Sequence, residues 1–438
     1  ILQKYSYEAI KKNGILRGWI GHILYFVVVD PIDLEVVLKN CLEKDDLHRF
    51  LKNAIGNGGI YAPLSVWRRR RKIMVPAFSP KIVETFIEIF SDQSEKLVSM
   101  LDECAGKGDV TMGPFLCRYT LDSVCETTMG IKLNAQNNPD NRFLRALKNI
   151  LNFFCKRIFH LWLQPEWLYK FFHHRKKLYS TVIQKKREEI KKEKYLNSKT
   201  RSFLDLLIEF SGGENGYNDL ELREEIMTLT IAGTDTSAVA IGYTLKLLAM
   251  YPKVQDKLYQ ELVDVFGNSD RPIDKEDLLK LKYLERVVKE SLRLFPPVPF
   301  IIRKILEDIS LRKTLPAGSG VAVSIWGLHR DPKYWGPDAE VFDPDRFLPE
   351  RFNVKHACSY MPFSSGPRNC LGYQYALMSM KTALSAIVRR YKIVGEVESG
   401  PVPHIKSKID VMMKAVDDYK ISLKKRVIEV DVFKKTVI

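Results

Sequence analysis

A chain of 438 residues that is 45% hydrophobic, with 22 Phe, 19 Tyr and 6 Trp, holds ample material for a packed core, which excludes global disorder. A formal charge of +16 favours an acidic partner, and the lack of zinc-finger spacing or of a glycine-rich aromatic strand argues against nucleic acid, leaving an anionic lipid surface or an acidic protein. Seven cysteines (41, 104, 117, 125, 155, 358 and 370) with no C-x-x-C pair fit neither a disulfide framework nor structural zinc, and point to a reducing compartment.

In chain order, Ile23 to Val29 is an apolar run of strand length that stops at Asp30-Pro31. No run reaches the ~18 apolar residues that a membrane span needs. No repeat or linker divides the sequence, so residues 1–438 read as one domain. Nine aromatic residues from Phe143 to Phe172, interleaved with Lys148, Lys156, Arg157 and His160, suit either an interfacial membrane surface or an aromatic core. Lys176 to Lys194 is predicted as a charged surface helix.

Asn218 with Glu221 three residues on forms a capping-box start for a helix that runs to Met250, where Tyr251-Pro252 stops it. At 1.5 Å per residue this helix is about 48 Å long, enough to cross a domain. A second helix is predicted from about Leu278 to Leu294, ending at Phe295-Pro296-Pro297. Val321, Val323 and Ile325 then alternate as a strand behind the turn Pro316-Ala317-Gly318. Many helices with a minor sheet define an α-rich α+β class.

The stretch Phe363-Ser364-Ser365-Gly366-Pro367-Arg368-Asn369-Cys370-Leu371-Gly372 concentrates unusual residues before a helical run. Cys370 would lie near the positive end of a helix dipole, which favours thiolate. Gly366 permits a special backbone geometry or close approach to a flat ligand, Pro367 stiffens the turn, and Arg368 can pair with a carboxylate. In the long helix, Gly233 costs about 1 kcal/mol relative to alanine and so requires a reason. Next to it, Thr236 either acts in proton transfer or back-bonds to the preceding turn, and Asp235 either supplies protons or faces solvent. Glu290 and Arg293 are spaced for an ion pair on one helix face.

The cysteine stretch resembles the haem-binding loop of the cytochromes P450, F-x-x-G-x-R-x-C-x-G, at all five fixed positions. Chance alone would give such a match in about one chain in ten thousand or fewer. Ala232 to Ser237 resembles the family's oxygen-binding segment, Glu290 to Arg293 its E-x-x-R, and Phe342 to Phe347 its F-x-P-E-R-F with Asp345 in place of Glu. Trp67 to Arg71 resembles its W-x-x-x-R, with Arg70 where a His is frequent. The motifs come in the family's order, and the likeness runs from about Tyr25 to Val394.

The resemblance implies a haem-thiolate monooxygenase of the P450 fold, mainly helical with small sheets, with haem b between the long helix and the cysteine loop. Cys370 would be the axial ligand, as in the thiolate-ligated haem enzymes. Trp67, Arg71, Arg303 and Arg368 would contact propionates, and Phe363, Gly366, Gly372 and Gly233 would make room for the macrocycle or for dioxygen. Asp235 and Thr236 would relay protons, while Glu290, Arg293 and Arg346 would scaffold the loop and His329 would be structural. Arg68, Arg69 and Lys72 form a basic face suited to an acidic flavoprotein.

The implied partners are NADPH-cytochrome P450 reductase, cytochrome b5 as a second electron donor, a membrane surface and a lipophilic substrate. The implied place is the cytoplasmic face of the endoplasmic reticulum, with an anchor outside this sequence. The finer likeness is to the microsomal clan that includes insect and vertebrate fatty-acid ω-hydroxylases. Many of those carry, just before the helix glycine, a Glu that can ester-link haem; Ala232 stands there, so covalent attachment is not expected. An isomerase or dehydratase that uses no external electrons, and a non-enzymatic haem carrier, are the alternative classes on this fold.

Overall fold

The computed structural model describes residues 2–20, 22–46, 55–141, 143–147, 149, 201–210, 216–267, 269–352 and 356–426. The predicted helix from Lys176 to Lys194, and all of the aromatic stretch beyond residue 149, lie outside the described residues.

The elements that position the site are helices α1 (Leu64–Ala77), α2 (Gly113–Met129), α3 (Asp219–Met250), α4 (Lys275–Lys280), α5 (Lys282–Leu294) and α6 (Tyr373–Arg390). The strands are β1 (Ile15–Ile20), β2 (Ile23–Val28), β3 (Phe300–Lys304), β4 (Gly320–Ser324), β5 (Ser407–Asp410) and β6 (Met412–Ala415). Strand order in the main sheet is β1-β2-β4-β3, with β2 and β4 parallel and the outer pairings antiparallel. A β5–β6 hairpin lies near the C-terminal end. Helices dominate and the sheets are small, as the composition of elements in the sequence suggested.

The long helix α3 starts where its capping box places it. Asn218 Oδ1 accepts the Glu221 N–H at 2.9 Å and Glu221 Oε2 accepts the Asn218 N–H at 3.1 Å, so two otherwise orphaned donors are satisfied. From Ser237 to Met250 nearly every residue is buried, packed between α2, α5 and α6 in the largest core cluster. Met227, Leu229, Ile231, Ala232, Gly233 and Thr236 are only half-buried.

Two predicted elements differ in detail. The segment around Leu278 is two helices, α4 and α5, broken at Leu281, whose ψ of 71° is not helical. Asp274 and Asp277 form a separate capping box for α4, and fully buried Leu281 fixes the bend. The strand through Val321 and Val323 stops at Ser324, whose hydroxyl accepts the Gly327 N–H at 3.1 Å and turns Ile325 into a short helix, Ile325–Leu328.

Candidate active site

Cys370 sits at the end of a tight loop that leads into α6. Its N–H donates to the Phe363 carbonyl at 2.9 Å, the Asn369 N–H donates to Gly366 O at 3.0 Å, and Ser364 and Gly366 take positive φ of 62° and 74°. At Gly366 a Cβ would also lie 2.8 Å from the Leu38 carbonyl oxygen, so this glycine answers to the turn and to neighbouring backbone and not to a flat ligand. Gly372 is different. A Cβ there would meet only Phe78, at 3.7 Å, so the protein's own packing does not call for a glycine.

Desolvation by the surrounding protein pushes the Cys370 thiol above its usual range, while the Gly372 N–H and Arg71 pull it down. The Cys370 side chain is nonetheless exposed, and the Gly372 N–H and Arg71 beside it favour its anion. Cys370 borders a surface recess of about 280 Å³ shared with Lys289, Tyr360, Met361, Phe363 and Tyr373.

Trp67, Arg70, Met74 and Ala77 form the buried face of α1. The Arg368 guanidinium stacks on the Trp67 ring at 4.5 Å and donates one bond, from Nη2 to Ala62 O at 2.9 Å; its Nε and Nη1 are buried with no partner. Arg303, on β3, is 2% exposed and among the described residues bonds only its neighbour's carbonyl, Ile302 O, at 3.1 Å. Burial lowers both arginines to about 10. Burial, with Arg303 and Arg368 nearby, also pushes Lys44 well down. Among the described residues no carboxylate forms an ion pair with any of these three cations. Buried cations facing one another are unfavourable unless an anion joins them.

Arg71 is placed otherwise than expected. Both of its Nη groups donate to Asn369, to the carbonyl at 3.0 Å and to Oδ1 at 2.6 Å, so it grips the cysteine loop beside the sulfur and does not offer a free fork to an anion. Arg68 and Lys72 are exposed, but Arg69 is ion-paired to Glu221 and is not part of an open basic face.

Glu290, Arg293 and Arg346 meet at the base of the loop. Glu290 and Arg293, both 0% exposed, pair through two bonds of 2.6 and 2.8 Å. Arg293 also donates to the carbonyls of His329, Ala339 and Val341, and Glu290 accepts the Asp343 N–H at 2.9 Å. Arg346 Nε lies 3.6 Å from Glu290 and its other nitrogens hold Asp338 and Trp335 O. His329 carries the network to the loop: Nδ1–H donates to Arg293 O at 3.2 Å, and Nε2 accepts the Met361 N–H at 3.0 Å. Burial drives its pKa to about 3, which keeps the ring neutral and able to accept.

On α3, the absent Cβ of Gly233 would point at Val124 on α2, 2.7 Å away, so close approach of two helices accounts for the glycine and room for dioxygen is not needed as the reason. Thr236 Oγ1 donates to Ala232 O at 2.6 Å. Asp235 does not face solvent: it is 6% exposed, and its Oδ1 lies 2.9 Å from Lys414 Nζ on β6.

The sequence reading missed Lys44 and Lys414, and it read Arg70 only as a departure from a motif. The signal for Arg70 was present in the 3-4-3 spacing of Trp67, Arg70, Met74 and Ala77, which places it on the buried face. Lys44 and Lys414 carried no local signal, because the groups they face lie far along the chain.

The cytochrome P450 family profile matches residues 2–421. The chain belongs to the cytochrome P450 family. It is 33% identical to cytochrome P450 4d2 of Drosophila melanogaster, over 96% of this chain and 89% of that protein. It is 36% identical to cytochrome P450 4V2 of Homo sapiens, over 88% of this chain and 78% of that one. The crystal structure of the cytochrome P450DA heme domain superposes with a TM-score of 0.85 at 22% identity, covering 98% of this chain and 93% of that one, which shows the shared fold.

This P450 is therefore a monooxygenase, and haem held by a cysteine thiolate is its cofactor. Its residues fit that group. The buried donors of Arg368 without a partner among the described residues, next to Arg303 and Lys44, suit a group with two carboxylates. At Gly372 a Cβ would meet only Phe78, at 3.7 Å, so the packing there leaves a flat ring room near the sulfur.

Proposed function

We propose that this P450 transfers one oxygen atom of O2 into a lipophilic substrate, with Cys370 as the residue that would bind the haem iron and NADPH electrons delivered by NADPH-cytochrome P450 reductase, with cytochrome b5 as a second donor. The observation that carries the reading is Arg368: two residues from Cys370, it holds two buried donors without a partner among the described residues, which a carboxylate of a bound ligand would satisfy. Haem, when bound, supplies the redox chemistry that activates O2.

The chain's own residues do the rest. Arg303, Arg368 and Lys44 would hold the haem carboxylates, and Trp67 packs against the Arg368 guanidinium. Arg71 and the Gly372 N–H steady negative charge on sulfur. Ile55, Tyr61, Met227, Ile231 and Val411 form an apolar cluster along the half-buried stretch of α3, a surface suited to a hydrocarbon. Thr236 would turn its hydroxyl from Ala232 O to donate into the site. Asp235, once loosened from Lys414, would take a proton from water and pass it to the Thr236 hydroxyl as that group gives up its own. These two demands make proton delivery a controlled step.

The recess beside Cys370, edged by Lys289, is the proposed approach for an acidic reductase, in keeping with the charge of +16. We place the enzyme at the cytoplasmic face of the endoplasmic reticulum. No helix among the described residues is long and apolar enough to cross a membrane. The test is reconstitution with reductase and NADPH against fatty acids, terpenoids and plant toxins. Product formed in proportion to NADPH oxidised supports the reading; turnover without NADPH would favour an isomerase or dehydratase.

A further inference from the structure

The loop of residues 55–62 lies against the first half of α3 in a contact that leaves no room for side chains. A Cβ at Gly56, whose φ is 67°, would lie 2.0 Å from Glu224 Oε1. At Gly58 it would lie 1.8 Å from Thr228 Oγ1 and 2.7 Å from the Glu224 carbonyl oxygen, and at Gly59 it would lie 3.1 Å from Glu225 Oε2. The charges at this contact are buried. Arg70, 3% exposed, reaches from α1 to Glu224 at 2.8 Å and to Glu225 at 3.1 Å, and Glu225 is 0% exposed.

Each of those two side chains also holds the loop backbone. Arg70 Nη1 donates to Asn57 O at 2.5 Å, and Glu225 Oε2 accepts the Gly59 N–H at 2.9 Å. The two grips fall on either side of Gly58, which is wedged on Thr228, and Thr228 lies on the same i, i+4 ridge of α3 as Ala232 and Thr236. At its ends the loop supplies Ile55 and Tyr61 to the apolar cluster with Met227 and Ile231, and Ala62 O to Arg368.

We propose that Arg70 and Glu225 are positioning residues that clamp loop 55–62 onto α3 as one wall of the substrate pocket, and so set how tightly a lipophilic substrate is held. The inference rests on the monooxygenase reading of the pocket given above. Neither residue touches the reacting atoms; both act through Asn57 and Gly59.

The clamp is sensitive to pH. Burial raises Glu225 to about 7, against the Gly59 N–H and Arg70, which lower it, and Glu224, which raises it further. The other groups facing this site are Glu221 on the same helix and Tyr217 just before it, whose hydroxyl donates to Arg70 O. Because burial raises it, Glu225 fits the closed clamp best as a neutral carboxyl below about pH 7. Above it the buried carboxylate is better accommodated in an opened clamp that water can reach, so the wall loosens as pH rises. Arg70 keeps its bonds to Asn57 O and Glu224 throughout.

The test uses the haem-loaded full chain, with 1-dodecanol as a neutral lipophilic probe whose own charge does not change with pH. Its Kd is read from the shift of the haem absorption spectrum on binding, from a unit below to a unit above about pH 7. In the unmodified chain the Kd should change by roughly three- to tenfold, the effect of a proton affinity that shifts by half to one pKa unit on binding. Glu225→Gln should flatten that dependence, and Arg70→Lys, which keeps the charge but loses the fork, should weaken binding at every pH.

Amide hydrogen exchange at Gly59 gives a second readout that needs no substrate: slower below about pH 7 than above it after correction for intrinsic rates, and without that pH step in Glu225→Gln. Equal, pH-independent Kd values and equal exchange in the unmodified chain and Glu225→Gln would overturn the clamp. Failure of the monooxygenase reading is distinguished by the haem spectrum of the unmodified chain, which does not depend on Glu225.

Discussion

The two sides of the haem site are held by charge in different ways. On the cysteine side, Glu290 and Arg293 are 0% exposed and their hydrogen-bonding groups end on main-chain carbonyls, a main-chain N–H or each other. On the long-helix side, ion pairs join separate elements: Arg70 to three glutamates from α1 to α3, and Lys414, 22% exposed, to Asp235 from the hairpin to α3. One main-chain bond each runs from Arg70 to Asn57 O and from the Gly59 N–H to Glu225. A buried pair tied to several main-chain groups resists movement more than ion pairs between elements, which can exchange partners. The first arrangement fixes the ligand loop. The second leaves the wall where substrate and protons arrive able to move.

Removing a charge from each side sharpens this contrast. Glu290→Ala should have the largest effect, because it leaves Arg293 buried without its counter-ion: a loss of about 3–5 kcal/mol and little haem-loaded protein. Thermal unfolding and haem content check it, and a normal yield with unchanged stability would reduce the pair to an ordinary contact. Thr236→Ala should leave folding and substrate affinity near normal and act on chemistry. Product per NADPH should fall with a matching rise in hydrogen peroxide, and unchanged coupling would make Thr236 a packing residue that only back-bonds to Ala232.

Smaller still should be Lys414→Gln. An amide at this position can still hydrogen-bond Asp235 but no longer pairs its charge, so stability should fall by only about 1 kcal/mol. The product-to-NADPH ratio should shift less than in Thr236→Ala. A stability loss as large as that of Glu290→Ala would erase the distinction between the two sides.

Solution pH probes the same contrast without mutation. Glu225 is raised in the fold to about 7 from an ordinary 4.5. Its contribution to stability is therefore full below the unfolded value and is lost as pH rises through about 7. Denaturant unfolding across that window should show stability falling with pH in the unmodified chain and less so in Glu225→Gln.

Local signals were readable in the sequence. The Asn218–Glu221 capping box, the stop at Tyr251-Pro252 and the tight loop before Cys370 are set by neighbours within a few residues, and the structure contains each of them. The bend at Leu281 was not readable, since the segment has helix-forming residues throughout and is broken by the burial of one leucine and a cap at Asp274. Gly233 suggested room for a ligand, but its reason is Val124, more than a hundred residues earlier. Arg71, Lys44 and Lys414 depend likewise on groups distant in the chain, which spacing within one helix or strand does not report.

The most direct test of the account is the carbon monoxide difference spectrum of the reduced, haem-loaded protein, compared with Cys370→Ser. Circular dichroism would confirm that the variant is folded. The unmodified chain should give the red-shifted Soret band of a thiolate-ligated haem, and Cys370→Ser should lose it, because a neutral hydroxyl is a poor substitute for a soft anionic sulfur. A folded Cys370→Ser protein that keeps the same spectrum would contradict the assignment and remove Cys370 from the iron.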